Sequence, residues 1–269
     1  MPKRRIVSFL CTCAFAVALA APVRSAEPAF HHKSLTRWLA LYGTAKPGSA
    51  AETEARSAIQ SIGTNAVPEL IRMLNSGEIH RQQSAVNGFG ILGSLAAPAI
   101  PTLTNLMAGT NQVVTIFAAN SLGEIGTPAL PALLNALTNH DYNLATLAAL
   151  ALGDMGTNAA PAIPVFLQDL GSRNHFARER AVDALGNLRL QPEVVVPALT
   201  NLLGDQSLAA RCLTLNSLGR FQAAARDAVP LIMPLLQDPE IDVRISATNA
   251  LCEIAPEAFK RPSASALPN

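Results

Sequence analysis

The side chains able to do acid–base, nucleophilic or metal chemistry are sparse in this sequence, and their spacing assembles none of the usual sites. The histidines are His31, His32, His80, His140 and His175. They form no His-x-x-x-His and no His-Glu pair, the patterns that place two metal ligands together. Glu179 and Asp183 are four residues apart and share a helix face. Paired carboxylates are tools of general acid–base catalysis, but no histidine, oxyanion loop or second carboxylate pair is expected around them. They read as solvated charge or as a contact for a basic partner. Gly-x-Ser-x-Gly and phosphate-binding loops are missing from the sequence, as is Cys-x-x-Cys beyond the first 20 residues. No catalytic, cofactor-binding or metal-ligating residue is assigned, and no cofactor is expected.

What the sequence does offer is a register. Asn87, Asn120, Leu150, Asp183, Asn216 and Asn249 recur at a spacing of about 33 residues, and five of these six are Asn or Asp. One turn earlier stand Gln83, Ile116, Thr146, Glu179, Cys212 and Ile245; one turn later, Gly90, Gly123, Gly153, Gly186, Gly219 and Cys252. Asn offers both donors and acceptors, and a glycine row is expected to expose backbone. The competing reading is that the Asn side chains bond along the stack or to water and that the glycines only permit close packing. Arg178, Arg211 and Arg244 share another register, as do Asp205 and Asp238. These predict an Arg–Asp ladder between neighbouring units.

The elements that must position these rows follow from the same repeat. The phrase Ala-x-x-x-Leu-Gly-x-ϕ-Gly (ϕ apolar) returns along the chain, with Gly93, Gly126 and Gly156 closing three copies. Each unit reads as two antiparallel helices. The first opens on proline: Pro68–Leu74, Pro101–Met107, Pro131–Leu137, Pro164–Leu170, Pro197–Leu203 and Pro230–Leu236. The second is Ala-rich; in Asp242–Leu251, Val243, Ala247, Ala250 and Leu251 fall on one face. Ser34 is expected to cap an atypical first helix carrying Leu35, Trp38, Leu39 and Tyr42, with a loop at 46–50. The fold class is all-α: a right-handed α-solenoid of about seven antiparallel helix pairs over residues 34–259.

Paired helices with proline at the start of the first, and Asp-Val-Arg…Ala…Ala-Leu in the second, resemble HEAT repeats. The Leu-Gly-x-ϕ-Gly phrase is most similar to the PBS-lyase HEAT-like subgroup. The resemblance implies that the second helices line the concave side. Gln83, Asn87, Asn120, Glu179, Asp183, Asn216 and Asn249 would then face a groove for a protein or peptide ligand. It leaves function open, because the same repeat serves scaffolds, adaptors, lyases and hydroxylases. Two other classes therefore stand beside a non-enzymatic scaffold. One is an enzyme resembling HEAT-like bilin lyases or HEAT-like iron hydroxylases, although the hydroxylases use His-Glu pairs that are missing here. The other is a nucleic-acid-binding solenoid.

Composition and the first residues bear on place and partner. Lys3, Arg4 and Arg5 precede an apolar run from Ile6 to Ala20, too short to span a membrane comfortably. With Ala18-Leu19-Ala20 as the cleavage site, residues 1–20 read as a signal peptide; a second site ends at Ser25. The protein is thus expected to be exported, periplasmic or extracellular, without membrane insertion after cleavage. Residues 21–33 read as a flexible mature N-terminus and 260–269 as a disordered tail. The net charge of +1 falls to −2 when the three leader cations are removed, which gives no footprint for nucleic acid. Cys212 and Cys252 stand seven residues apart in the repeat register. That is roughly 10 Å of axial offset, so both are expected to be free thiols used in packing.

Overall fold

The computed structural model describes residues 27–139 and 141–256. The expected signal peptide, the tail, residues 21–26 and His140 lie outside the described residues. Among those described, fourteen α-helices form seven antiparallel pairs: α1 (Leu35–Thr44), α2 (Ala50–Ile62), α3 (Val67–Leu74), α4 (Ile79–Leu92), α5 (Ile100–Met107), α6 (Gln112–Ile125), α7 (Leu130–Leu137), α8 (Tyr142–Asp154), α9 (Ile163–Leu170), α10 (His175–Leu188), α11 (Pro192–Thr200), α12 (Leu208–Arg220), α13 (Val229–Ile232) and α14 (Ile241–Ile254). The solenoid expected from the repeat is present.

Each unit is built by local chemistry. Asn111, Asp141, Asn174 and Ser207 precede four second helices, and each side chain accepts a hydrogen bond from an N–H of the first turn. Second helices end where a residue turns left-handed: Gly63, Gly93, Gly126 and Gly156 have φ between +51° and +81°. In the next two units the same place is held by Arg189 and Gln222, both at φ +51°, where a side chain costs roughly 1–2 kcal/mol. The apolar run 79–107 is long enough to cross a membrane by composition. Gly93 divides it into α4 and α5, whose buried faces belong to the shared core.

Ala-rich faces let the second helices pack directly on one another, α4 on α6, α6 on α8 and so on to α14. First helices meet chiefly through the 3-10 turns that precede them. Successive second helices are therefore the more closely joined row of the stack. One core runs through the stack from Leu35 to Ala255. The position that packs on the following unit is Val86, Ala119, Ala149, Val182 and Leu215, all buried; in α14 it is Thr248, exposed.

Three elements differ from expectation. Residues 27–33 are not a flexible leader: Ala29–Phe30 (β1) and Lys33–Ser34 (β2) form a small hairpin whose turn is His31-His32, both at positive φ. The buried Trp38 holds it, donating its indole N–H to the Phe30 carbonyl at 3.0 Å under Lys33. The expected helix at Pro197–Leu203 starts instead at Pro192, with Pro197 inside it and only turns after Thr200. Pro192 follows the left-handed Gln191, so its ring meets the fixed φ of the first helical position. The helix expected over Pro230–Leu236 keeps its α form for four residues. Pro234 lacks the N–H that an α-helix needs there, and Met233–Gln237 tightens to 3-10.

Candidate functional site: the groove across the second helices

Four rows of residues run across the second helices at steps of one turn. The outermost is at the helix starts and was not recognised in the sequence. Ile79, Val113, Tyr142, Phe176, Leu208 and Ile241 each stand in the first two residues of a second helix and are exposed, Ile79 to 64% and Ile241 to 60%. The buried stripe begins later in each helix, so nothing covers them. The Tyr142 and Phe176 rings lie 5.2 Å apart, bridging α8 and α10. Ile116 and Ile245 continue the ridge one turn deeper. Its sequence signal was an apolar residue one or two places after each capping position.

The inner rows hold the expected site residues. Gln83 donates to the Asn87 side chain at 3.3 Å, within α4. Asn120 is half-buried, and Asn216 and Asn249 are exposed. Among the described residues no side-chain hydrogen bond ties Asn120, Asn216 or Asn249 to another unit. Of this row only Asp183 bonds along the stack, to Arg220 of the following unit. Asn216, Asn249, Arg220, Cys252 and Glu253 share one cleft between α12 and α14. Glu179 and Asp183 meet Tyr142, Thr146 and Leu150 in a second cleft of about 200 Å³ between α8 and α10.

That second cleft is the most elaborated part of the groove. Glu179 accepts from the Ser207 hydroxyl at 2.6 Å. Asp183 accepts from Arg220 at 2.9 Å and from Asn187 at 3.2 Å. Arg180 pairs with Asp169 at 2.7 Å, yet its Nε and the Thr146 hydroxyl are buried without a partner. His175, one turn before Glu179, is a groove-side histidine that the sequence reading passed over. It is exposed and its ring leans on Phe176. Among the described residues no three His, Cys, Asp or Glu side chains come together as a ligand set.

The glycine row is covered rather than open, which corrects the expectation of exposed backbone. A Cβ at Gly186 would lie 2.9 Å from Cα of Ser217, and one at Gly123 would lie 3.0 Å from the Ala151 carbonyl oxygen. These glycines let neighbouring second helices approach. Gly153 differs, since a Cβ there meets only Cβ of Asn187 at 3.7 Å.

The Arg–Asp ladder has one inter-unit rung. Arg178 grips Asp205 with two bonds, of 2.7 and 2.8 Å, and their side chains are 16% and 8% exposed. That hydrogen-bonded guanidinium holds the Asp205 carboxyl below the usual carboxylate range against the opposing effect of burial. Arg178, Arg211 and Arg244 share a different task. Each donates to the carbonyl six residues upstream, that of Ser172, Asp205 or Asp238, at 2.9, 2.8 and 2.7 Å. Each guanidinium thus closes the loop between the two helices of its own unit. Among the described residues both cysteines are free; Cys212 is half-buried, whereas Cys252 is exposed in the groove and does not pack. Away from the groove, a cavity of about 610 Å³ opens between α9 and α11, beside Leu167, Val194 and Leu202.

The fold has solved relatives. The chain is similar to the complex of CpcE and CpcF of phycocyanin lyase from Nostoc sp. PCC7120, at 20% identity over 57% of this chain and 98% of that one, with a TM-score of 0.51. It is similar to a chain of a Kap95:Nup1 complex at 17% identity, over 82% of this chain and 35% of that one, with a TM-score of 0.50. These likenesses show a shared fold. No curated protein matches the sequence. The sequence model for HEAT repeats matches residues 100–186 and 163–252, more than half of the chain. With its stacked helix pairs and its repeat of about 33 residues, the chain belongs to the HEAT-repeat family.

Proposed function

We propose that this protein is an exported, non-enzymatic scaffold that holds a protein or peptide ligand on its concave face. The observation that carries this reading is the exposed apolar ridge, Ile79 to Ile241, running beside Asn120, Asn216 and Asn249, whose side chains have no hydrogen-bond partner among the described residues. Six uncovered apolar side chains in a line, rimmed by polar groups, are the mark of an interaction surface. Hydrogen-bond capacity in the next rows would fix the ligand's register. Solenoids of this family are built to present such extended surfaces. Export rests on the basic and apolar opening of the sequence.

The test is a crosslinked pull-down from the cell envelope with a tag after Asn269. The expected result is one dominant protein partner, lost when Asn120, Asp183 and Asn216 are replaced together by Ala with the melting temperature unchanged. Undiminished capture by that triple variant would overturn the groove assignment. Bound iron or a chromophore in the purified protein, with no partner, would favour an enzyme.

A further inference from the structure

The groove has two unlike edges, and together they specify the shape and charge of what fits. Opposite the apolar ridge, eleven or twelve residues further along the second helices α6 to α14, stand Glu124, Asp154, Asn187, Arg220 and Glu253, all exposed; in α4 the matching residue is the buried Ile91. Arg220 is neutralised by Asp183, and Arg180 by Asp169. Glu124, Asp154 and Glu253 are left without a cationic partner among the described residues, whereas the inner Glu179 has the Arg178 charge beside it. The trough is therefore apolar along one lip and anionic along the other, over several units. Eleven or twelve residues of helix separate the lips by about 16–18 Å, room for a helix of about 10–12 Å diameter. Stacked helices lie about 8–10 Å apart. Side chains seven residues apart on an α-helix are spaced about 10.5 Å, close to that period. A β-strand repeats its face every ~6.7 Å, which does not match.

Resting on the proposed binding role, we infer that the occupant is an amphipathic α-helix of a partner protein, laid along the solenoid. Its apolar flank meets Ile79–Ile241 and its Lys or Arg flank meets Glu124, Asp154 and Glu253.

A fluorescein-labelled peptide of about three heptads, with Leu on one flank and Lys on the other, tests this by anisotropy against the purified full-length protein. A twin carrying Glu for Lys and a twin broken by central prolines serve as controls. The Lys helix is expected to bind, to weaken with added salt, and to exceed both twins by about tenfold or more. Combining Glu124→Gln, Asp154→Asn and Glu253→Gln should cost about tenfold, the summed effect of three exposed charges. Glu193→Gln with Asp227→Asn, outside the groove, should cost nothing. Equal binding of either twin, or no loss in the triple variant, would overturn the inference. So would an envelope partner captured through Asn120, Asp183 and Asn216 whose crosslinked segment is acidic or non-helical; the scaffold reading would then survive. Failure of the pull-down itself would count against that reading instead.

Discussion

The units from α3 to α8 and those from α9 to α14 solve one packing problem with different chemistry. In the earlier units the second helices turn at glycine, and they are mostly alanine, leucine and uncharged polar residues, their few charges (Arg81, Glu124 and Asp154) forming no ion pair between helices among the described residues. In the later units the turning residues are Arg189 and Gln222, and ion pairs join the helices: Arg178–Asp205, Arg180–Asp169 and Arg220–Asp183. A residue with positive φ stands at the same place in both, although ψ is −126° at Gly93 and −143° at Gly126 but +34° at Arg189. What the difference teaches is that the positive-φ turn and the close helix approach are the fixed requirements. The means of holding neighbouring units is free to vary, from apolar contact to charge.

The comparison breaks first at Asp205. Asp205→Asn leaves the Arg178 guanidinium half-buried without its carboxylate and should cost about 2–3 kcal/mol, read as a lower melting temperature. No substitution of an exposed charge in the earlier units, such as Glu124→Gln, should approach this. The same pair predicts acid sensitivity. Because the folded Asp205 carboxyl titrates below its unfolded value of about 3.9, its stabilisation is complete above that pH. It is lost as pH falls through the depressed folded value. Melting curves between neutral pH and pH 3 should therefore fall less steeply for Asp205→Asn than for the parent protein.

Next in size is the glycine row, where two neighbouring units should respond oppositely. Gly186→Ala drives a methyl into the backbone of Ser217 and should cost about 1–3 kcal/mol. Gly153→Ala meets open contact and should be neutral or stabilising by up to about 1 kcal/mol. Equal effects in a thermal melt would show that the two clefts pack alike. The smallest effect concerns the turns. Arg189→Gly should stabilise by about 1 kcal/mol and Gly156→Ala should destabilise by a similar amount. Denaturant midpoints of the two variants would show whether Arg189 is strained.

Most of the fold was written in the sequence, because a repeat multiplies each weak local signal. Proline, alanine and glycine recur in one register, so the helix pairs and the Asn/Asp row could be placed by counting. Counting failed where a local residue overrode the period. The 33-residue register marked Pro197, while the helix obeyed Pro192; Pro234 cut α13 short. The hairpin at 29–34 was hidden because its cause is a single indole seeking a carbonyl. The apolar ridge escaped for another reason: its residues belong to the helix starts, where capping dominates the pattern and the buried stripe has not begun. Which carboxylates find arginines depends on side-chain reach across units, which spacing alone does not encode.

The early start of α11 has a mechanical consequence. A stack of helix pairs is a spring, and its compliance concentrates where one layer is poorly buttressed. The cleft of about 610 Å³ between α9 and α11 is lined by Arg178 and Asp205 themselves, so at this joint the clasp is a main tie between the two units. Tension on the two ends would open the solenoid at that joint first, and the clasp would set the force at which it yields.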